Sequence, residues 1–252
     1  MSDTKPGTAI ALRDAILSTA EKYTDQIGKL APEGASADSY LVGLRLYLAQ
    51  NAKLLDCTPV SVALGLLLCA QTGLVLGVSA DLLPFGKVCQ FSPRYGGIIE
   101  LALAAGTNSI NADVVRDGDE FSFEKGTKFF LRHTRKFQKG AKITHAYAIA
   151  GLRFGQYVFE VRNRVELDAH KQRYSLQWKQ TDLDEIPWYA KKTMVRQLSP
   201  FLPKNPRLAA ALLFADTREV EDADARVIDT PPADVDPETG EIAGAPEGVE
   251  EL

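Results

Sequence analysis

A run of cations and aromatic rings between residues 125 and 142 is the part of the sequence best suited to holding a charged ligand. It contains seven basic residues and no acidic one, with Phe129, Phe130 and Phe137 between them. A groove that follows a single nucleic-acid strand needs cations for the phosphates and flat rings for unstacked bases. A solvated basic loop whose rings anchor it to a sheet explains the same residues, so both interpretations stay open. The basic residues are Lys125, Lys128, Arg132, Arg135, Lys136, Lys139 and Lys142.

A second basic set lies in residues 187–203, PWYAKKTMVRQLSPFLP. On a helix that starts near Trp188, Lys192 and Arg196 are four residues apart and share a face, with Lys191 beside it. Such a helix could present a row of cations to a phosphate backbone. An ordinary amphipathic surface helix has the same pattern.

A third candidate is the start of SPRYGGIIELAL, where Arg94 and Tyr95 precede Gly96 and Gly97. Glycines let a ligand backbone approach closely, and the free amides at a helix start favour phosphate. A tight turn from strand to helix explains these glycines equally well.

The net charge of −4 hides two segments of opposite sign. Residues 216–252 contain thirteen acidic and two basic residues, which leaves 27 basic and 20 acidic residues in positions 1–215. The body of the chain therefore carries +7 and the tail −11, and a cationic body suits a polyphosphate ligand such as nucleic acid.

Residues that could support covalent or metal chemistry are sparse. Three cysteines in apolar surroundings and three histidines show no metal-ligand spacing, and no Gly-x-x-x-x-Gly-Lys-Ser/Thr loop for ATP occurs. The weak nuclease alternative rests on Asp113 and Glu160-Val161-Arg162, in which arginine replaces the lysine of the usual Glu-x-Lys pattern. We therefore expect no catalytic residue, no metal and no cofactor.

Apolar periodicity and turn residues predict an α+β fold, with helices first, then an antiparallel sheet of hairpins packed with helices, then helices again. A hairpin or tight strand connection is expected at Phe85-Gly86. A hairpin turn is expected at Asp117-Gly118, and two further strands are expected to join around Phe154-Gly155. The predicted helices cover residues 8–30, 36–55, 59–72, 94–105, 164–173, 187–201 and 205–215.

The chain is predicted to have three parts. Residues 1–57 form an N-terminal helical region with possible subunit contacts, and residues 58–215 form the core. Residues 216–252, rich in proline, glycine and acids, are predicted to be a disordered tail. No apolar run is long enough for a membrane span and the start does not resemble a signal peptide, so we expect a cytoplasmic protein without membrane contact.

Five blocks in the core resemble one known family. LLPFGK followed by RYGGIIELALAAG is similar to the signature of the RecT family, the RecT branch of the RecT/Red-beta phage-type single-strand DNA annealing proteins. RDGDEFSFEKG, ITHAYAIAGLRFGQYVFEV and WYAKKTMVRQLSPFLP resemble its following blocks, in the same order, over Pro59 to Ala215. Two positions depart from the family pattern: Arg94-Tyr95-Gly96 replaces Tyr-Arg-Gly, and Gln197 stands where many members have arginine.

The resemblance implies an ATP-independent protein that binds single-stranded DNA and an annealed duplex intermediate, and that assembles into rings or helical filaments. A passive single-strand coating protein remains the alternative. The acidic tail has three open interpretations. It could dock a partner such as a phage exonuclease or a host single-strand binding protein, compete with DNA for the basic groove, or serve as a solubilising tail without a fixed contact. The family pattern points to Lys87, Arg94, Tyr95, Arg116, Lys191, Lys192 and Arg196 as DNA-binding residues, and the basic run adds Lys125, Lys128, Arg132, Arg135 and Lys136.

Overall fold

The α+β fold is confirmed by a computed structural model, which describes residues 6–127, 129–175 and 178–221. Within these ranges the helices are α1 (Pro6–Glu21), α2 (Thr24–Leu30), α3 (Ala37–Gln50), α4 (Pro59–Thr72), α5 (Tyr95–Ala104), α6 (Arg164–Tyr174), α7 (Pro187–Leu198) and α8 (Pro206–Glu221). The strands are β1 (Ala80–Phe85), β2 (Val88–Pro93), β3 (Ser109–Arg116), β4 (Glu120–Glu124), β5 (Phe130–Thr134), β6 (Ile143–Gly151) and β7 (Tyr157–Asn163). Short 3₁₀ turns follow α3, β6 and α7 at Ala52–Asp56, Arg153–Gly155 and Ser199–Phe201.

Local signals set several helix ends where the sequence predicts them. The Ser36 hydroxyl accepts a hydrogen bond from the Ser39 N–H at 3.2 Å and caps α3. Thr58 caps α4 ahead of Pro59, and Gly73 ends that helix in the left-handed conformation at φ 78°.

The predicted helix 8–30 is interrupted after Glu21. The Thr24 hydroxyl donates to the Glu21 carbonyl at 2.6 Å, and the Tyr23 N–H bonds the Ala20 carbonyl in a tighter turn. A side chain that hydrogen-bonds the backbone in this way competes with the helical ladder. The segment therefore folds as two helices, α1 and α2.

The strands form a β1–β2 hairpin, a three-stranded antiparallel sheet in the order β3-β6-β7, and a separate β4–β5 ribbon. The hairpins at Phe85-Gly86 and Phe154-Gly155 are confirmed, but the one expected at Asp117-Gly118 is wrong. A turn is present there, with Gly118 at φ 84°, yet β3 pairs with β6 and β4 pairs with β5. A register shift at Val115/Arg116 takes the chain out of the sheet, and the turn residues specify no strand partner.

The two faces of the three-stranded sheet differ in chemistry. One face carries Ala146, Ala148 and Ala150 of the central strand, each fully buried, and α7 packs against β6 and β3. The opposite face carries Tyr147 and Phe159. Small side chains let the helix axis come close, whereas the large rings provide a surface for another element.

The β4–β5 ribbon lies on the aromatic face. Phe121 stacks on Tyr147 with ring centroids 5.9 Å apart and planes at 18°, and Phe123 meets Phe159 edge-on at 6.4 Å. Phe129, just before β5, also packs on Phe159 at 4.8 Å. These aromatic contacts hold the ribbon to the sheet.

A buried carboxylate ties the ribbon to the loop that follows it. Asp119, whose side chain is only 6% exposed, accepts hydrogen bonds from the backbone N–H groups of Arg116 and Lys136, both at 2.8 Å. It also meets His133 Nε2 at 3.1 Å. Burial alone would raise the pKa of Asp119, but these three donors together lower it to about 2.

The C-terminal helix α8 runs on to Glu221, past the predicted start of the tail at residue 216. Residues 222–252, which make up most of the predicted disordered tail, lie outside the described residues. Among the helices that the structure describes, none has both the length and the apolar composition to cross a membrane.

The two glycines at the start of α5 offer a matched test of packing. A Cβ on Gly97 would lie 2.3 Å from the Ser79 carbonyl oxygen, whereas one on Gly96 would meet no atom within 4 Å. We expect Gly97→Ala to lower the free energy of unfolding by about 1–3 kcal/mol. Gly96→Ala should stay within about 1 kcal/mol of the wild type. Urea unfolding measures both, and equal effects would contradict the packing role of Gly97.

Asp119→Asn should destabilise the protein at neutral pH by about 1–3 kcal/mol, because a neutral amide accepts the three hydrogen bonds less well. The folded-state pKa of about 2 lies below the unfolded value of about 3.9. The charged carboxylate therefore contributes its full stability at pH values above the unfolded pKa. This contribution is lost as the pH falls toward 2, and the difference between variant and wild type should shrink with it. Asp117→Asn, in the exposed part of the same turn, is the control in urea unfolding at several pH values.

Candidate nucleic-acid interface

Cations from three distant parts of the sequence meet at one cavity. It has a volume of about 230 Å³ and lies between β3, the loop from β5 to β6, and the start of α7. Arg116, Arg135 and Lys191 line it, one from each of these elements, together with Asp113 and Phe137. We call this the cationic cavity.

Asp113 lies on the edge strand β3 and connects two of these cations. Its Oδ1 is 3.0 Å from Lys191 Nζ, and its Oδ2 accepts a hydrogen bond from Arg135 Nη2. Burial would raise the pKa of Asp113, but the hydrogen bonds from Arg135 and Lys191 outweigh it and leave the pKa lowered. The hydrogen bond to Asp113 in turn raises the pKa of Arg135. The carboxylate is therefore ionised and shared between two cations.

Arg116 is fixed by the strand that carries it and by the loop opposite. Its Nη1 donates to the Ala141 carbonyl at 2.7 Å and lies 3.8 Å from Asp184 Oδ1. Its backbone N–H is one of the three donors to Asp119. The Asp119 cluster thus positions both Arg116 and the loop that bears Arg135.

The phenylalanines of the basic run have different surroundings. Phe129 packs on Phe159 and serves as an anchor, and Phe130 is partly exposed. Phe137, at the cationic cavity, is 83% exposed and has φ 54°, a left-handed conformation that non-glycine residues rarely adopt. Phe137 is therefore the ring of this run most accessible to a ligand.

The remaining described cations of the basic run are spread over the ribbon and its connections. Arg132 lies on β5, Lys125 follows β4, and the loop from β5 to β6 carries Lys136, Lys139 and Lys142. Lys125 pairs with Glu160 at 2.8 Å and lies 5.8 Å from the Phe159 ring centroid. Lys136 pairs with Glu120 at 2.6 Å, and Arg132 is exposed on β5. Lys128 lies outside the described residues.

A second group of predicted residues gathers at the start of α5. Arg94 binds Asp81 through Nε and Nη2, both at 2.7 Å, and this hydrogen bonding raises the pKa of Arg94. Tyr95 is exposed as the first residue of α5. Arg196 of α7 donates to the Pro93 carbonyl at 3.0 Å, which brings it beside this turn.

Lys87 and Lys192 stand in other surroundings. Lys87 is exposed in the β1–β2 turn, at the opposite end of β2 from Arg94. A strand rise of about 3.4 Å per residue puts the two roughly 20 Å apart. Lys192 Nζ lies 5.9 Å from the Tyr189 ring centroid. The structure therefore brings together two subsets of the predicted residues and places Lys87 away from both.

The structure also shows features that the basic runs do not predict. Asp113 is the shared partner of Arg135 and Lys191, although all three are far apart in sequence. A second cavity of about 360 Å³ lies between β7, α6 and α7, lined in part by Arg162 and Arg173. Gln197, at the position where the family pattern has arginine, accepts a hydrogen bond from Arg162 Nε at 2.8 Å. No local sequence pattern marks these pairings.

The geometry does not support the nuclease alternative. Glu160 pairs across the sheet with Ala148, and Ala148 pairs with Ala112, so Glu160 projects from the same face as Ala112. Asp113, the next residue after Ala112, projects from the other face. The two carboxylates are also engaged by different cations, and within the described ranges no group of three or more His, Cys, Asp or Glu residues could hold a metal ion.

Comparisons with known proteins agree on one family. A sequence model described as RecT family matches residues 44–227. The chain is also 34% identical over 192 residues to Protein RecT of Escherichia coli strain K12, an alignment that covers 69% of this chain and 70% of that protein. The residues 44–227 that match the family model include β1 to α7 and every residue that lines the cationic cavity. The chain therefore belongs to the RecT family.

Proposed function

We propose that the protein binds single-stranded DNA and promotes ATP-independent annealing of complementary strands, working as an oligomer. Membership of the RecT family supports a role in recombination by single-strand annealing. The observation that carries the proposal is the convergence of Arg116, Arg135 and Lys191 on one cavity beside the exposed ring of Phe137.

The arrangement is suited to a nucleic-acid backbone and does not select a base sequence. Arginine and lysine side chains neutralise phosphates, and an exposed ring stacks on any base through its π face. Contacts of this kind leave the Watson–Crick edges of the bases free. Sequence recognition then comes from pairing with the second strand, without covalent chemistry.

A passive coating protein would use the same cations and rings. The two functions differ in what happens to a second strand, because a coating protein slows pairing and an annealing protein speeds it. The choice between them therefore depends on a rate measurement.

Assembly of several copies would extend a short binding surface along a long strand. Val42 and Leu46 are both exposed, lie four residues apart and share the outer face of α3. This face belongs to the N-terminal helical region, residues 1–57, and we propose it as a contact between subunits of a ring or helical filament.

The C-terminal segment of the sequence has a charge opposite to that of the rest of the chain. Residues 216–252 carry a net charge of −11, against +7 for the rest of the chain. We propose that this segment contacts a protein partner in the cytoplasm, such as a phage exonuclease or a host single-strand binding protein.

The wild type should speed duplex formation between complementary oligonucleotides, one carrying a fluorophore and the other a quencher, without ATP. A rate no higher than the spontaneous one at low salt would rule out annealing, and a slower rate would favour the coating protein.

Lys191→Ala should weaken single-strand binding roughly threefold to tenfold and reduce the salt slope by about one, since one phosphate contact is lost. Lys29→Ala on α2 removes the same charge away from the cavity and is the control. Gel analysis after incubation with Mg²⁺ would reveal strand cleavage, which this proposal excludes.

We expect the wild type to form oligomers whose mass light scattering can measure. Replacing Val42 and Leu46 together by aspartate should reduce this mass. Charge on the outer face of α3 would oppose its burial between subunits. Val165→Asp introduces the same charge at an exposed apolar position of α6, outside the N-terminal helical region, and should leave the mass unchanged. If the double variant and the wild type have equal mass, the subunit contact lies elsewhere.

A further inference from the structure

The cationic cavity already contains an anion that belongs to the protein. The Asp113 carboxylate lies between Arg135 and Lys191, and its side chain is 14% exposed. Among the charged residues that line the cavity, three cations face two carboxylates, Asp113 and Asp119. The cavity walls therefore carry only one net positive charge.

The two carboxylates are held in different ways. Asp119 accepts from two backbone N–H groups and a buried histidine, which have little freedom to move. Asp113 also accepts from the N–H of Val114, but its charged partners are the long, partly exposed side chains of Arg135 and Lys191. These side chains can turn toward another anion while the backbone stays in place. Asp113 is thus the carboxylate that a ligand could replace.

A phosphodiester matches the position that Asp113 holds. Its two non-bridging oxygens, like the two carboxylate oxygens, accept from the guanidinium and from the ammonium. Arg116 lines the same cavity and adds a third cation. A ligand anion here would have cations on several sides.

Phe137 provides the second half of a nucleotide subsite. The loop holds this residue in a left-handed conformation next to the cavity, with 83% of it exposed. A non-glycine residue in this conformation is strained, and the surroundings must hold it there. Gln138, the next residue, packs close to Gly118, within 3 Å of where a Cβ would stand, and anchors this point of the loop.

We propose that the cationic cavity is a one-nucleotide subsite in which Asp113 stands in for a backbone phosphate in the free protein. A phosphate of single-stranded DNA takes over Arg135 and Lys191 from Asp113, and the adjoining base stacks on Phe137. The inference rests on the proposed function, since it assigns one contact of the same DNA-binding surface.

This exchange predicts an unusual effect of removing an acid. In the wild type, the phosphate competes with a carboxylate that is covalently part of the site. In Asp113→Asn the two cations lose this internal partner and attract solvent counterions, which DNA then releases. The variant should therefore bind more tightly than the wild type, and with a steeper dependence on salt.

The test measures binding of fluorescently labelled oligothymidylate by anisotropy between about 50 and 200 mM salt. We expect Asp113→Asn to bind about threefold to fivefold more tightly at the low-salt end, with a salt slope steeper by about one. The matched control is Asp168→Asn, which removes the same charge from the ion pair with Arg164 on α6. If Asp168→Asn gains affinity to a similar extent, the change in net charge alone explains the tighter binding, and the proposal is overturned.

Urea unfolding of each variant shows whether the fold is kept. If Asp113→Asn is folded and binds as the wild type does or more weakly, Asp113 only positions Arg135 and Lys191, and the subsite is disproved. If Asp113→Asn unfolds more readily than the wild type, oligothymidylate binding by Asp113→Ser is measured in its place, and the same outcomes support or disprove the subsite. Failure of the wild type itself to bind the oligonucleotide would instead defeat the proposed function.

The base half of the subsite has its own matched pair. Phe137 and Phe154 both have positive φ and are both exposed, Phe154 by 98%, but Phe154 lies in the turn between β6 and β7. Phe137→Leu should weaken oligothymidylate binding about fivefold or more through lost stacking, and Phe154→Leu should not. Equal effects of the two changes would remove Phe137 from the subsite.

Discussion

The close approach of α7 to the three-stranded sheet is the contact on which the candidate interface depends. Ala146, Ala148 and Ala150 of β6 are fully buried and leave room for the helix. Because α7 lies directly on the sheet, Lys191 reaches the edge strand β3 and meets Asp113. Larger side chains in this row would push the helix outward and separate the cation from the cavity. A buried row of small apolar residues thus determines where a surface charge stands.

The opposite face of the same sheet places the other cations. Its rings bind the β4–β5 ribbon, and the Asp119 cluster then joins the ribbon to the loop that carries Arg135. The sheet therefore acts as a template with two different surfaces. Each surface recruits one element, and the two elements meet at the edge strand, where their charges combine.

Features that depend on neighbouring residues are predictable from the sequence. Thr58, Pro59 and Gly73 define α4 because capping and left-handed backbone preferences act over one helical turn. Basic residues with aromatic neighbours likewise identify 125–142 as a candidate ligand segment. The strand partners of β3 and β4 are not predictable in this way, because an Asp-Gly turn fixes a reversal and not the strand that pairs afterwards. The ion pairs of Asp113 with Arg135 and Lys191 cannot be predicted either, because they form only when elements that are distant in the sequence pack together.

The ribbon is attached separately from the main core, and this affects how the molecule opens. In the part of the chain that the structure describes, the buried faces of α1 to α5, α7 and α8 help to form one main hydrophobic core. Tyr147 and Phe159, on which the ribbon packs, do not belong to this core. Structural units that rest on a small satellite cluster open with a lower free energy than the whole domain. Backbone amides of β4 and β5 are accordingly expected to exchange with solvent before those of β6. The ribbon beside the candidate interface can then open locally while the core that sets its position remains folded.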